Sequence, residues 1–488
     1  MKSPVYKRYL ALIFLLAVIV LLLPSIIRTF KGNDSPPGTE TYLTIKISNL
    51  ISNEKSIPKE DTLSYGGRIF PYYIGYPTLI SSLSSITKIQ FIMLCRILNI
   101  LLGMFSLLII YLLIRKLTNE NKLKLLILII IVLSPPFIYL FSTCNNYSIL
   151  VFLSLLAFYL LLNKKLYLIL STLIIILLGL FSFYIPLIFL AVIFLYIIFK
   201  DRAKIKWFII TTLLTLFVII YYNYLLLNLP LFYERLAFSV KEKGINFAFQ
   251  SIISDFGGKF GISLFTIVLS LFGFKKLWIN KYKILHFYLI VILLVIISFY
   301  LTESLFYLNI ILSIVAAIGL LNLIKARWQS NLIKTLLVLI IICGIIFSGF
   351  SYINRVSNEL PNREIIRGLL FLKERTNTND VIFSHYSRGH WINAISERKN
   401  FMDDYFAYVP NVNARWEDSQ KILYSRNLDD TTKILDKYNI RYIWLDNDLK
   451  KSLWESETGL LFVLKNSKNF KNVYNDNYVE IWRYERTS

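Results

Sequence analysis

Charge is scarce in this sequence. Only 17% of its 488 residues are Asp, Glu, Lys or Arg, while 56% are hydrophobic. A soluble globule carries about 25% charged residues, so this chain has too little polar surface to cover its apolar mass. The mean hydropathy of +0.58 agrees, and disorder is excluded by the same shortage of polar residues. Cysteine is nearly absent: Cys95, Cys144 and Cys343 form no CxxC pair, so neither a zinc site nor a disulfide framework is legible. Histidine is as rare, at three residues. Lys2–Arg8 opens the chain like a signal peptide, but no small-residue cleavage site follows Leu22–Pro24, which favours a retained first helix.

What the chain has in abundance is long apolar runs. About 20 such residues, rising 1.5 Å each, cross a bilayer core of roughly 30 Å. That ruler predicts eleven spans: Leu10–Ile27, Phe91–Ile114, Leu125–Ser142, Ile149–Leu162, Leu166–Phe181, Pro186–Phe199, Trp207–Leu227, Phe260–Phe274, Leu285–Leu301, Leu305–Ile324 and Thr335–Ile353. The net charge of +23 would ordinarily raise nucleic acid as a partner, but its placement says otherwise. Lys and Arg gather in alternate short loops: Arg115–Lys124, Lys164–Lys165, Lys200–Lys206, Lys275–Lys283 and Lys325–Lys334. The intervening turns at Thr143–Ser148, Ser182–Ile185 and Thr302–Ser304 carry none. The basic side of a membrane protein stays in the cytoplasm, so the N-terminus is expected inside. Residues 31–90, 228–259 and the tail after Arg355 are then expected outside. The domains so read are 1–354, a membrane domain with two external loops, and 355–488, a soluble extracytoplasmic α/β domain.

In that tail, Glu364–Arg375 and Leu428–Tyr438 have helical spacing. Val381–Ser384 and Arg441–Leu445 read as strands, and Phe470–Tyr474 with Val479–Tyr484 as a hairpin. The first external loop is richest in functional residue types. Leu43, Ile45, Ile47, Leu50 and Ile51 supply one apolar side, as a short helix lying in the membrane interface would. Glu40 stands at its N-terminus, where the helix dipole favours a carboxylate. It either caps a surface helix or takes a proton from an acceptor hydroxyl that attacks an activated sugar.

Glu40-x-Tyr42, the Ile57-Pro58 spacer, Asp61-x-x-Ser64-Tyr65-Gly66-Gly67-Arg68 and the Pro/Tyr/Gly patch at 71–77 together resemble the first external loop of GT-C glycosyltransferases. These are polytopic enzymes that use polyprenyl-phosphate-linked sugars. The segments Cys95–Gly103 and Tyr111–Lys116 are similar to a span of the protein O-mannosyltransferase and aminoarabinose transferase branch. Ile434–Ile443 resembles the external domain of archaeal and bacterial members. The resemblance implies a polytopic all-α membrane domain with an extracytoplasmic α/β domain. It also implies transfer of a sugar from a polyprenyl-phosphate carrier to a protein, lipid or glycan acceptor. Glu40 takes the position of the catalytic base, where the family more often has Asp or Asp-Glu; Asp34 is the alternative, detached from the helix by Pro36 and Pro37. Tyr42, Asp61 and Arg68 fall among the residues expected to contact substrate or carrier.

Oligosaccharyltransferase relatives carry a second acidic motif after the third span, where carboxylates hold a divalent metal. Here Thr143-Cys144-Asn145-Asn146-Tyr147-Ser148 contains no acid, and a hard cation prefers carboxylates among its oxygen ligands. A metal-independent monosaccharide transferase, with no cofactor, is therefore favoured. Arg96, inside the external end of its span, either meets the carrier phosphate or forms a structural pair, since an intramembrane Arg faces protein or a wet cavity. Lys259 is a further phosphate contact, with Gly257 and Gly258 either offering backbone N–H groups or making a plain loop. Glu303 joins the site or is solvated at its rim. His286 reads as structural, His385 and His390 as supports of the fold or a lid, and Asp403-Asp404 as a solvated turn. The rival readings are an oligosaccharyltransferase or glycan polymerase of the same superfamily, and a lipid or solute transporter, which would favour broken helices near the midplane.

Overall fold

The computed structural model describes residues 4–68, 73–163, 166–222, 250–455 and 459–486. Several sequence expectations lie outside them: the Pro71-Tyr72 part of the aromatic patch, Lys164 and Lys165, the end of the span to Leu227, and most of the loop from Asn228. The chain forms two compact units. The first comprises residues 1–27, 93–226 and 230–357, and the second residues 28–92, 227–229 and 358–488.

The helices of the first unit are, in chain order, most of α1 (Pro4–Phe30) and α4 (Phe91–Leu117), with α2 (Thr39–Glu54) and α3 (Gly75–Thr87) between them belonging to the second unit. There follow α5 (Asn121–Val132), α6 (Pro135–Ser142), α7 (Tyr147–Leu161), α8 (Leu166–Leu178), α9 (Tyr184–Lys200), α10 (Ile205–Ile220), α11 (Leu264–Leu277), α12 (Leu285–Tyr300), α13 (Leu305–Lys325) and α14 (Asn331–Ser357). Five helices among the described residues are long and apolar enough to cross a membrane: those over 5–30, 91–117, 202–220, 302–325 and 331–357. The pair α5 and α6 makes a sixth if it is one span, bent by 60°. This is a membrane protein, and among the described residues not every one of the eleven expected spans is a single helix of full length. Helices α7, α8, α9 and α12 are apolar yet shorter than 18 residues, because turn residues and fused loops interrupt runs that a hydropathy count treats as continuous. The bend at α5–α6 has a local cause. Pro135 and Pro136 occupy the first turn of α6, the Ser134 hydroxyl donates back to the Ile131 carbonyl at 2.7 Å, and Asn309 of α13 donates to that hydroxyl at 2.9 Å. Helices α11 and α13 approach through Gly273 and Gly319, where any added Cβ would run into the facing backbone; small residues permit such contact between membrane helices.

In the second unit α15 (Arg363–Arg375), α16 (Val412–Tyr424), α17 (Leu428–Lys437), α18 (Asn447–Glu455) and α19 (Leu460–Asn466) surround a sheet. Its strands are β1 (Val381–Phe383), β2 (Lys399–Asn400), β3 (Ile440–Asp446), β4 (Phe470–Asn475) and β5 (Val479–Tyr484), in the order β2-β1-β3-β5-β4. Alternation of side chains along β3 and β5 gives the sheet two apolar faces. Ile365, Leu369 and Leu372 of α15 pack with Trp444, Val479 and Ile481 on one face. Ile443, Leu445, Phe470 and Tyr484 join Phe401, Ile422 and Leu435 on the other. Asn362 starts α15 by accepting from the Ile365 N–H at 2.9 Å.

The first loop is built into this same unit. Ser64 bridges Asn400 of β2, with the Tyr65 N–H donating to the Asn400 carbonyl and the Asn400 N–H to the Leu63 carbonyl, each at 3.0 Å. At the other end of the loop, buried Arg28 donates to the carbonyls of Ser35 at 2.8 Å and Pro361 at 2.7 Å. Helix α2 buries nine of its residues, among them Tyr42, Ile45, Lys46 and Ile47. That burial corrects the expectation of a helix floating on one apolar face.

Candidate functional site

Candidate residues fall into two groups, one in each unit. In the second unit, α2 begins at Thr39 after Gly38, whose φ of 85° suits a residue without a Cβ. The turn before it is held by the helix: Thr41 donates to the Pro37 carbonyl at 2.9 Å and the Tyr42 hydroxyl to the Pro36 carbonyl at 3.2 Å. Glu40 therefore sits in the first helical turn, partly exposed, while Asp34 lies outside the helix and is exposed. The Glu359 carboxylate reaches the same helix start, with an oxygen 3.8 Å from where a Cβ on Gly38 would stand. Tyr42 is buried in the core with Ile45, Trp391 and Trp444, which leaves its ring no open face for substrate.

Asp61 and Arg68 are placed in a buried ion cluster. The Lys46 ammonium meets Asp61 Oδ2 at 2.7 Å and Asp403 Oδ2 at 3.6 Å. The Arg68 guanidinium donates from Nη2 to Asp61 Oδ2 at 2.8 Å and to Asp403 Oδ2 at 2.6 Å, and from Nη1 to Asp403 Oδ1 at 2.7 Å. All four side chains are fully buried. Two cations and two anions balance, and the bidentate Arg–carboxylate geometry is the kind that offsets the cost of burying charge. Burial alone would raise the Asp61 carboxyl, but Lys46 and Arg68 override it and hold it below the usual range. Asp403 is likewise held far below that range, by Arg68 first and then His390 and Lys46, against the effect of burial. His390 Nδ1 lies 3.7 Å from Asp403 Oδ2, and burial pushes the imidazole down to about 4 despite that carboxylate. Asp403 is thus no solvated turn: it is the anion that ties the first loop to the tail domain. Sequence reading missed Lys46 altogether, although a lone Lys within the apolar run Leu43–Ile51 is itself a sign of a buried partner.

In the first unit the organising feature is a disulfide between Cys95 and Cys144, Cα atoms 5.4 Å apart. The cysteine spacing alone gave no sign of this pairing, since the two residues stand 49 positions apart. Pairing joins α4 near its start to the turn at 143–148, and Asn99, one helical turn on, reinforces the junction. Asn99 donates to the Thr143 carbonyl and accepts from the Ser148 hydroxyl at 2.9 Å. Arg96 follows Cys95 directly, about 7.5 Å along α4 from Phe91, and is partly buried. The same turn carries Tyr147, whose hydroxyl donates to Glu303 Oε1 at 3.0 Å. The Tyr147 ring packs against Phe260 and Phe306, with centroids 6.2 and 5.8 Å away. The Lys259 ammonium lies over the rings of Tyr139 and Phe260, at 5.2 and 5.5 Å. Tyr139, Tyr147, Phe260 and Phe306 therefore connect Lys259 to Glu303 within one aromatic cluster. Lys259 itself is exposed, on a loop tied down by Arg355, which donates to the carbonyls of Ser254 at 3.0 Å and Gly258 at 2.7 Å. The N–H groups of Gly257 and Gly258 donate to Ser254 and Ile253, so that loop is a closed turn and offers neither of these donors to an anion.

Of the histidines, His385 accepts from the Ser387 N–H at 3.4 Å within a turn of the tail, and His286 stacks on Phe199. A hard divalent ion would find a poor donor set at 143–148: Asn145 Oδ1 already accepts from the Ser148 N–H at 3.0 Å. Among the described residues no group of three or more His, Cys, Asp or Glu is arranged to hold a metal ion.

No family model matches the chain, and no curated protein matches it. Solved structures do. The oligosaccharyltransferase of Archaeoglobus fulgidus, in its apo form, superposes with a TM-score of 0.67 at 15% identity, over 96% of this chain and 73% of that one. ArnT from Cupriavidus metallidurans, bound to undecaprenyl phosphate, gives 0.60 at 9% identity over 98% of both chains. The mycobacterial arabinofuranosyltransferase AftD gives 0.61 at 12% identity, over 99% of this chain and 40% of its own length. The fold is that of a polytopic membrane protein with a small mixed sheet in its second unit. More particularly, it is a fold shared with the archaeal oligosaccharyltransferase, ArnT and AftD.

Proposed function

We propose that this chain is a membrane glycosyltransferase that moves a sugar from a polyprenyl-phosphate carrier to an acceptor on the extracytoplasmic face. The reading is carried by the fold, whose solved neighbours include ArnT bound to undecaprenyl phosphate and an archaeal oligosaccharyltransferase in complex with dolichol-phosphate and an inhibitory peptide. Glu40 is the general base. It is the partly exposed carboxylate in the first turn of α2, whereas Asp61 and Asp403 are fully buried, where no acceptor hydroxyl reaches them. Helix α2 is anchored one and a half turns further on by Lys46, so the base stands on a fixed element, as catalysis by positioning requires. Arg96 and Lys259 meet the carrier phosphate: a guanidinium can hold it bidentately and an ammonium as a point charge. Glu303, held by Tyr147, orients the acceptor or the sugar. Deprotonation of the acceptor hydroxyl by Glu40 accompanies its attack on the anomeric carbon. The C–O bond to phosphate breaks, and polyprenyl phosphate leaves with its negative charge met by Arg96 and Lys259. No step uses a metal.

The Cys95–Cys144 disulfide supports the orientation, because such bonds persist in oxidising compartments. The loops that carry Lys and Arg are then cytoplasmic, as is the N-terminus. Transfer of a whole oligosaccharide fits the fold equally, given the likeness to an oligosaccharyltransferase, and substrate size separates the two. The test is turnover by the purified chain in lipid nanodiscs, with polyprenyl-phosphate monosaccharides and with lipid-linked oligosaccharides as donors. Acceptor-dependent release of the lipid phosphate from either donor class supports the reading. No release from any of them overturns it.

A further inference from the structure

The helix–sheet junction of the second unit contains a basic groove that the transfer reaction does not use. It encloses about 520 Å³ between α15 and the face of the sheet, within the size range of small-ligand sites. On the helix, Arg367, Phe371 and Arg375 line it; at spacings of four residues they form one stripe, and the two arginines stand about 12 Å apart along the axis. On the sheet, Tyr442 of β3 faces Arg483 of β5 as a cross-strand pair. The guanidiniums of Arg367, Arg375 and Arg483 are exposed and make no hydrogen bond or ion pair among the described residues. Glu374 is the one acid in the lining, so the groove is net positive. Phe371, packed on Tyr474 with centroids 5.0 Å apart, and the half-buried Tyr442 ring give it an aromatic floor.

We propose that this groove binds an acidic oligosaccharide, one whose sugar rings carry carboxylates. Charge complementarity requires an anion, and planar guanidiniums suit carboxylate bidentately. Flat aromatic rings between the arginines suit the C–H face of a pyranose. An acidic peptide is the other polyanion to consider, and the topology argues against it. A peptide that docks by strand addition needs an exposed edge, whereas β3 and β5 are interior strands paired on both sides, so an acidic peptide held by the Arg cluster would gain no main-chain hydrogen bonds from the sheet. The groove therefore presents side chains only.

The proposal is independent of the transferase reading, since no donor and no turnover enter its test. Calorimetric titration of the full chain in nanodiscs with trigalacturonate, maltotriose and triglutamate decides it. Trigalacturonate is expected to bind saturably and maltotriose not to bind. Arg375→Ala or Arg483→Ala should weaken the binding about tenfold, equivalent to about 1.4 kcal/mol. Glu374→Gln removes the opposing charge and should tighten it, which guards against variants that merely fold poorly. Absence of saturable trigalacturonate binding, or binding indifferent to all three substitutions, overturns the proposal. Tighter binding of triglutamate than of trigalacturonate overturns the choice of a saccharide.

Discussion

Replacing Arg68 with Met removes two charge-assisted hydrogen bonds to Asp403 and two to Asp61, leaving Lys46 at 2.7 Å from Asp61 and 3.6 Å from Asp403. The buried cluster then has Lys46 alone against two carboxylates, changing from neutral to net negative in a site with no solvent access. Breaking a buried pair on one side costs about 3–5 kcal/mol, mostly from the charge left uncompensated. In a unit of roughly 200 residues each kcal/mol lowers the midpoint by about 2–4 °C, so a fall of about 10 °C is expected. The companion change Asp403→Asn takes away the orphaned anion and leaves Lys46 and Asp61 as a balanced pair 2.7 Å apart. The double variant should therefore lose far less than the sum of the two single changes, with a coupling energy of about 2 kcal/mol or more. The assay is thermal unfolding of the four proteins in one detergent, followed by a probe in the second unit such as Trp fluorescence. Additive losses, or an Arg68→Met midpoint within about 2 °C of wild type, would show that the cluster is not what secures the first loop.

Acid should weaken the second unit in two stages. His390 is buried with its folded value near 4, below the unfolded value of about 6.5, so the unfolded chain binds the extra proton first. Stability is full above pH 6.5 and falls by about 3 kcal/mol as pH drops toward 4, and His390→Phe should flatten that window. Asp61 and Asp403, both depressed, lose their contribution only below about pH 4, as they are protonated. Alkylation without reductant should label Cys343 and spare Cys95 and Cys144; labelling of all three would remove the disulfide. Lys259→Ala and Arg96→Ala should each reduce retention of undecaprenyl phosphate, read by native mass spectrometry, about tenfold. Unchanged retention in both would place the carrier phosphate elsewhere.

Much of the tail was legible because its periods are clean. The structure starts α15 at Arg363 and α17 at Leu428, and places the hairpin at 470–475 and 479–484, each within about a residue of the spacing-based reading. Apolar runs marked where the membrane helices lie but not their lengths. A run such as Leu166–Phe181 contains a helix that ends at Leu178, since Gly179 and the turn after it are invisible to hydropathy. The ion cluster was harder to see: Lys46 and Asp403 are 357 positions apart, and only the fold brings them together. Asp403 read as solvated because two adjacent acids usually are. Cys95 and Cys144 carry no local spacing signal, and their pairing depends on α4 reaching the turn before α7. By contrast Tyr147, adjoining the acid-free turn that drew attention, leads directly to Glu303.

The base itself is tested most directly by Glu40→Gln, which keeps the side chain's shape and removes its ability to accept a proton. In single-turnover transfer from a polyprenyl-phosphate sugar, the rate should fall by about 10²–10⁴ while donor binding stays unchanged, and Glu40→Asp should recover part of it. A Glu40→Gln enzyme that transfers within about twofold of wild type would contradict the account, because the general-base contribution it assigns is at least about a hundredfold.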